Sequence, residues 1–330
     1  MQPQLDSRAR AEALLRSSIL WDNHACMPLK ADAEFLPQLA QHRDAGFTLV
    51  SLNIGMADVS LLEHMRILSF MRRWIQQHSD AYRLVHRVED VIQCKKDGRL
   101  GITFDVEGMK AIQHDISFVQ TFYELGVRWM LIAYNRNNEA GGGCLDEDCG
   151  LQPTGRAIID EMERVGMLLC LSHAGPKTAR EALDYSTNPA IISHSNPYGD
   201  KAHPRNVSDE LIRACAAKGG VIGLNGFECF LGESSSLVAG LLRQLHYVID
   251  LVGPGHVGLG IDYCYDANDL AEDVRKNPHL YAVDASNSRF IGPDAIMEIA
   301  EGLARSNLSD VDIGGILGAN WMRIASQVWK

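Results

Sequence analysis

The feature that most constrains this chain is an alternation of short apolar runs and helical segments, repeated eight times. The eight runs are SILWDNH, GFTLVSLN, RLGITFDVE, VRWMLIAYN, GMLLCLSH, PAIISHS, GGVIGLN and HVGLGID. Each run is nearly continuous in apolar character, as expected of parallel strands that are covered on both faces. Between them lie segments long enough for a helix, such as TGRAIIDEMERVG and GPKTAREALDYS. The pattern therefore predicts an α/β fold.

No linker or Pro/Ser-rich break interrupts this alternation. A length of 330 residues would accommodate one large barrel or two ordinary domains. The unbroken repeat favours a single (β/α)8 TIM barrel over residues 1–330, with a doubly wound open sheet as the alternative. Two long stretches, at about 56–87 and 266–287, are predicted to be inserted helices or loops, the second a lid or an interface loop.

Charge and composition exclude several classes of protein. A net charge of -11 and a pI near 5.5 argue against binding to nucleic acid or an anionic membrane, which requires clustered Lys and Arg. The N-terminal segment lacks the features of a signal peptide, and no apolar run approaches the roughly 20 residues that span a bilayer. The eight cysteines form no short-spaced framework, although Cys144 and Cys149 leave a disulfide or metal clip as a minor alternative. We expect a cytoplasmic protein that acts on a small molecule.

Polar residues stand at the ends of the eight runs. In order, they are His24, Asn53, Glu107, Tyr134, His173, His194, Asn225 and Asp262. In β/α barrels the active site is assembled at the carboxyl ends of the strands. A lone histidine there is more often structural than a ligand, but three histidines and two carboxylates on one rim indicate a metal site. Imidazole and carboxylate ligands together suit zinc and its neighbours.

Seven short motifs follow one another over most of the chain. They are WDNHACMP at 21–28, DVEG at 105–108, LSHAG at 171–175, ISHSN at 192–196, HPRNVSDE at 203–210, GLGIDY at 258–263 and GGILGANWMRI at 314–324. In order and spacing they resemble the membrane (renal) dipeptidase family, peptidase family M19, among the amidohydrolase-like metal-dependent hydrolases. Two positions depart from that family's pattern: Cys26 stands where it has an aspartate, and Tyr134 where it has a histidine.

The resemblance implies a set of metal ligands. Glu107 would bridge two metals, His173 and His194 would bind one of them, and His24 would bind the other. Cys26 stands where the family has an aspartate ligand. A thiolate binds zinc well, although with a longer bond than a carboxylate oxygen. One or two zinc ions per chain are therefore expected. The family also implies a homodimer.

Three further residues are candidates for catalysis and substrate binding. Asp262 is expected to act as a proton shuttle, Tyr134 to donate a hydrogen bond to a developing oxyanion, and Arg205 to bind a substrate carboxylate. Each has a structural alternative: a rim ion pair or cap for Asp262, core packing for Tyr134, and a surface ion pair with Asp209 or Glu210 for Arg205.

Three functions are compatible with these residues. The first is a zinc-dependent, dipeptidase-like hydrolysis of an amide bond in a small carboxylate-bearing substrate, such as a dipeptide or an N-acyl amino acid. The second is a divergent amidohydrolase that acts on a lactone, a cyclic amide or another small metabolite. The third is a non-catalytic small-molecule binding barrel that has lost one metal site.

The roles of Asn53 and Asn225 have two interpretations: the side chains either line the pocket or form hydrogen bonds with backbone groups at the strand ends.

Overall fold

The computed structural model describes residues 7–282 and 289–330. Its strands are β1 (Trp21–Cys26), β2 (Leu49–Met56), β3 (Tyr82–Leu84), β4 (Leu100–Glu107), β5 (Val127–Leu131), β6 (Leu168–Cys170), β7 (Ile191–Ile192), β8 (Val221–Leu224), β9 (Val257–Leu259) and β10 (Tyr263–Cys264). Eight of them pair in parallel in the order β1-β2-β4-β5-β6-β7-β8-β9, and β9 pairs back onto β1 at Asp22 and Leu259. The sheet is thus a closed TIM barrel, as predicted, and the open-sheet alternative is wrong.

Helices separate the strands. The α-helices of the described residues are α1 (Ser7–Ser17), α2 (Ala40–Asp44), α3 (Leu61–Gln77), α4 (Val88–Asp97), α5 (Phe118–Glu124), α6 (Pro153–Val165), α7 (Pro176–Tyr185), α8 (Asp209–Ala217), α9 (Glu228–Leu231), α10 (Leu237–Val252), α11 (Ala267–Lys276), α12 (Ile296–Ala304), α13 (Asp310–Gly314) and α14 (Asn320–Val328). The hydroxyls of Ser60, Ser208 and Ser236 each cap a helix by accepting a hydrogen bond from a first-turn N–H. Among the described helices, none is long and apolar enough to cross a membrane.

The amino end of the barrel is closed by apolar packing. Trp21, Leu49 and Leu168, which begin β1, β2 and β6, share a buried cluster with Trp321 of α14. The Trp321 indole N–H donates to the carbonyl oxygen of Leu259, so the ring pairs its one polar atom while it fills this end. The opposite, carboxyl end therefore remains for the polar residues.

The two long stretches that interrupt the repeat hold additional elements. The first carries α3 and β3, and β3 pairs with the start of β4 beside the barrel, at Tyr82 and Leu100. The second carries α11 and a 3-10 turn, Pro278–Leu280. Residues 283–287 of that predicted insertion lie outside the described residues. The short β10, which directly precedes this second stretch, pairs with β1 at Cys26 and Cys264.

Candidate metal centre and active site

Three histidines and one glutamate meet at the carboxyl end of the barrel. Glu107 is the last residue of β4, and its Oε1 lies 3.1 Å from His194 Nε2, 3.3 Å from His173 Nε2 and 3.7 Å from His24 Nε2. All four side chains are buried. The structure therefore brings together these four residues, which the sequence placed on separate strand ends.

A second group of ligand-type atoms adjoins the first through His24. The Nε2 atom of His24 lies 3.4 Å from Asp262 Oδ1 and 3.5 Å from Cys26 Sγ. The Cys26 thiol also donates to Asp262 Oδ1 at 3.2 Å. His24, Cys26 and Asp262 are thus close enough to hold one ion together. Cys26 points into the centre, where the family pattern has an aspartate.

Each imidazole is oriented by a partner on its other nitrogen. The three pairs are His24 Nδ1 with Asp105 Oδ1 at 3.3 Å, His173 Nδ1 with Asn135 Oδ1 at 2.7 Å, and His194 Nδ1 with Ser193 Oγ at 2.7 Å. Such partners fix the ring so that its Nε2 faces a metal. None of these three partners was predicted from the sequence. Asp105 had a detectable signal, because it lies two residues before Glu107 on β4 and therefore points to the same face.

The donor set fits a cation. His173 Nε2 and His194 Nε2 lie 2.9 Å apart, and Glu107 Oε1 has no hydrogen-bond partner among the described residues. Burial, with the charges of Arg205 and His24, holds the pKa values of His173 and His194 well below the usual range, so both rings are neutral. A donor set of two neutral imidazole nitrogens beside an unpartnered carboxylate oxygen is one that zinc and similar cations bind.

Two other pKa values also reflect a site that requires positive charge. Burial raises the pKa of Glu107 to about 8; the positive charge on His24 opposes this rise, and Asp105 and Asp262 add to it. Burial alone would lower the pKa of His24, but the nearby carboxylates of Asp105 and Glu107 outweigh this effect of burial and raise the pKa to about 10. Without a metal, a protonated His24 therefore supplies the positive charge that the carboxylates attract.

The loops that carry two of these residues bend sharply. Strand β6 ends at Cys170 and β9 at Leu259, so His173 and Asp262 each lie three residues beyond a strand. Both have left-handed backbone angles, with φ of 63° and 61°. Residues other than glycine adopt this conformation in only a few per cent of cases, and such residues cluster at functional sites, where the surrounding structure enforces the angle. The bends therefore place these two side chains over the centre.

Arg205 lies beside the centre in a buried position. Its Nη1 donates to Ser195 Oγ at 2.6 Å and its Nη2 to the carbonyl oxygen of His194 at 3.0 Å, while Nε has no partner in the described chain. The surface ion pair with Asp209 or Glu210 considered from the sequence does not form, since Asp209 accepts a hydrogen bond from Tyr247 and Glu210 pairs with Arg180. Arg205 is thus a buried cation without a carboxylate partner among the described residues.

Tyr134 stacks on His173 with ring centroids 4.2 Å apart and faces the cavity. Burial, with Tyr281 and Glu107 nearby, raises its pKa well above the usual range, so the phenol keeps a hydrogen that it can donate. Asn225 donates to Asp262 Oδ2 at 2.7 Å and accepts from the Phe227 N–H. Asn53 similarly donates to Asp105 and accepts from the Gly55 N–H. Both asparagines thus satisfy backbone and orient site carboxylates.

A cavity of about 340 Å³ opens above these residues. One wall is apolar and includes Met27, Phe227, Phe230 and Phe290, and another is formed by polar residues of α11. A cavity of this size accommodates a small molecule.

Away from the cavity, Cys144 and Cys149 of the acidic loop are both free thiols. The disulfide considered for this loop is therefore wrong.

Comparison with known proteins identifies the family. The family model described as membrane dipeptidase (peptidase family M19) matches residues 8–283. The chain belongs to the membrane dipeptidase family. A solved amidohydrolase from Pseudomonas aeruginosa superposes on this M19 chain with a TM-score of 0.88 and 26% identity, covering 97% of this chain and 99% of that one. A metallo peptidase from Rhodobacter sphaeroides, bound to a phosphinate mimic of L-Ala-D-Ala, has the same fold, with a TM-score of 0.77 and 18% identity over 95% of this chain and 100% of that one.

Curated relatives give the same family. An uncharacterized dipeptidase of Schizosaccharomyces pombe is 29% identical over 272 residues, which are 78% of this M19 chain and 60% of the relative. The dipeptidase tcpJ of Claviceps purpurea is 26% identical over 276 residues, again 60% of its own length. A second S. pombe dipeptidase is 32% identical over 68% of this chain and 51% of the relative. The M19 chain thus spans between half and two thirds of the length of these relatives. Its family is metal-dependent.

Proposed function

We propose that this M19 chain is a metal-dependent dipeptidase, which hydrolyses the amide bond of a small substrate that carries a free carboxylate. Dipeptides and N-acyl amino acids are the substrate types. The observation that supports this most is the convergence of three imidazole Nε2 atoms on the unpartnered Oε1 of Glu107. A site of this kind, open to a cavity, is typical of catalytic rather than structural metal centres.

We propose that the metal is zinc and that two ions bind. Glu107, His173 and His194 would hold one ion, and His24 and Cys26, with the shared Glu107, would hold the other. When bound, zinc supplies Lewis acidity that polarises the scissile carbonyl and makes water more acidic. The short contacts of Cys26 with His24 and Asp262 support its role as a ligand.

The chain's own residues divide the remaining work. Asp262, whose Oδ2 is held by Asn225, would take a proton from the attacking water at Oδ1 and return it to the leaving amine nitrogen. The Tyr134 phenol would donate a hydrogen bond to the oxygen of the reacting carbonyl as negative charge develops there. Arg205 would bind the substrate carboxylate and so set the position of the amide bond.

A substrate panel tests this function. The zinc-loaded chain is incubated with dipeptides, N-acyl amino acids, lactones and cyclic amides, and chelated protein serves as the control. We expect turnover of free dipeptides that disappears on chelation and returns with zinc. Turnover of only lactones or cyclic amides would favour the divergent amidohydrolase. Metal-independent ligand binding with no turnover of any compound would favour the binding protein.

We further propose that the chain acts as one barrel domain, in the cytoplasm, and as a homodimer. The eight free cysteines support a reducing compartment, and the dimer rests on similarity to the family. Sedimentation analysis of the purified chain tests the dimer: a monomer at all concentrations would exclude it. Cell fractionation tests the location.

A further inference from the structure

One side-chain amide lies between the metal centre and the cavity wall. Asn135 follows Tyr134, is only 5% exposed and has a left-handed backbone with φ of 58°. Its Oδ1 lies 2.7 Å from His173 Nδ1, and its Nδ2 donates to the carbonyl oxygen of Leu280 at 2.8 Å. Asn135 therefore contacts two parts of the chain that are far apart in sequence.

The contacts fix which way this amide faces. The carbonyl oxygen of Leu280 can only accept a hydrogen bond, so the NH₂ group must face it. The Cys144 thiol donates to Oδ1 at 3.3 Å, which agrees with this orientation. Because Oδ1 can only accept, the hydrogen of the neutral His173 ring lies on Nδ1. The lone pair of Nε2 then faces Glu107, as a metal ligand requires.

The other end of the amide holds the cavity wall. Leu280 ends the turn after α11, and the next residue, Tyr281, lines the cavity with its ring edge against Tyr134, 6.1 Å between centroids. The Arg136 guanidinium donates to the carbonyl oxygen of His279. Helix α11 has no buried residue of its own. These two carbonyl contacts thus help attach the wall formed by residues 267–282 to the barrel, together with the Lys30–Asp269 ion pair and the contact of His203 with the Ala282 carbonyl oxygen.

We propose that Asn135 is a positioning residue that couples metal binding at His173 to the seating of the wall formed by residues 267–282. The proposal rests on the metal site of the proposed function. A metal on Nε2 favours the ring orientation that Asn135 Oδ1 accepts, and this holds Nδ2 against the carbonyl oxygen of Leu280. Metal loading therefore orders the wall, and loss of the amide weakens both the metal site and the wall.

Two substitutions separate the two halves of this coupling. Asn135→Asp keeps an acceptor for His173 Nδ1 but sets an oxygen against the carbonyl oxygen of Leu280. Asn135→Ala removes both contacts. Asn138→Ala is the matched control, because Asn138 lies in the same loop and bonds the Ile132 carbonyl and the Ala140 N–H without touching His173.

The measurements are zinc affinity by chelator competition and hydrogen exchange of residues 267–282, each on the full chain with circular dichroism as a check of folding. We expect Asn135→Ala to weaken zinc binding about tenfold to a hundredfold, the usual cost of losing such a partner. Asn135→Asp should keep zinc affinity within a few-fold of the wild type, but zinc should no longer protect the wall from hydrogen exchange. Its KM for a dipeptide should rise more than its kcat falls, and Asn138→Ala should change none of these.

Several results would overturn the proposal. Unchanged zinc affinity in a folded Asn135→Ala protein would show that the amide does not position His173. If residues 267–282 of the wild type exchanged hydrogen at the same rate with and without zinc, no coupling would exist. The same would follow if zinc protected these residues from exchange fully in Asn135→Asp. These outcomes differ from failure of the proposed function itself, in which the wild type binds no zinc at all.

Discussion

Replacement of Arg205 by methionine tests how the site recognises its substrate. Of the five guanidinium N–H groups, those toward Ser195 Oγ and the His194 carbonyl oxygen are occupied, so three remain for a substrate carboxylate. Each hydrogen bond to a charged group contributes about 1.5–3 kcal/mol. Two such bonds contribute about 3–6 kcal/mol, and their loss should lower kcat/KM by roughly 10²- to 10⁴-fold.

The assay compares a dipeptide with its C-terminal amide, which lacks the carboxylate charge. Arg205→Met should lower kcat/KM for the dipeptide by the full amount and for the amide by only a few-fold. Arg180→Met, at an exposed ion pair with Asp184, is the control and should change neither. If Arg205→Met lowered kcat/KM equally for both substrates, Arg205 would act by supporting the His194 backbone and not by binding the substrate carboxylate.

Two substitutions and one binding measurement probe the chemistry. Asp262→Asn should lower kcat about 10²- to 10⁴-fold while the bound metal is retained. Steady-state kinetics measures the first and elemental analysis the second. A variant that keeps more than a tenth of the wild-type kcat would exclude Asp262 as the proton shuttle. Tyr134→Phe should lower kcat about 10²- to 10³-fold, whereas an unchanged kcat would limit Tyr134 to packing. Because the pKa values of His24 and Glu107 are raised to about 10 and about 8, the metal-free site holds protons at neutral pH. Burial also raises the pKa of the Cys26 thiol, which must lose its proton to bind zinc. Zinc binding at about pH 7.5 should therefore release about two to three protons and tighten as pH rises, which calorimetry in buffers of different ionisation enthalpy checks; zero release would contradict these pKa values.

The barrel and its rim could be predicted because both depend on strong local signals. Eight apolar runs are long enough to identify strands, and parallel strands in a closed barrel must end at one edge. The gathering of His24, Glu107, His173, His194 and Asp262 follows from that geometry. The strands β6, β7 and β9 are as short as β3 and β10, but each lies within a longer apolar run of its own between helical segments. By contrast, β3 and β10 have no such run of their own and were not predicted.

The orienting partners and the backbone bends could not be predicted in the same way. Asn135 and Ser193 are common polar residues, and only the fold shows which imidazole each one contacts. The left-handed angles at His173 and Asp262 are uncommon for any residue other than glycine, and no local sequence pattern marks them. Asn206 lies in a polar loop whose sequence does not indicate burial, yet it is buried and donates to the Phe230 carbonyl.

Metal content per chain tests the central claim most directly. The protein is purified without added metal and zinc is measured by elemental mass spectrometry, for the wild type and for Cys26→Ala. Cobalt substitution adds a second readout, because a cobalt–thiolate bond gives a charge-transfer band in the near ultraviolet. We predict about two zinc ions per chain in the wild type and about one in Cys26→Ala, with the cobalt band lost in the variant. A wild-type chain that binds no metal even after incubation with zinc would contradict the account.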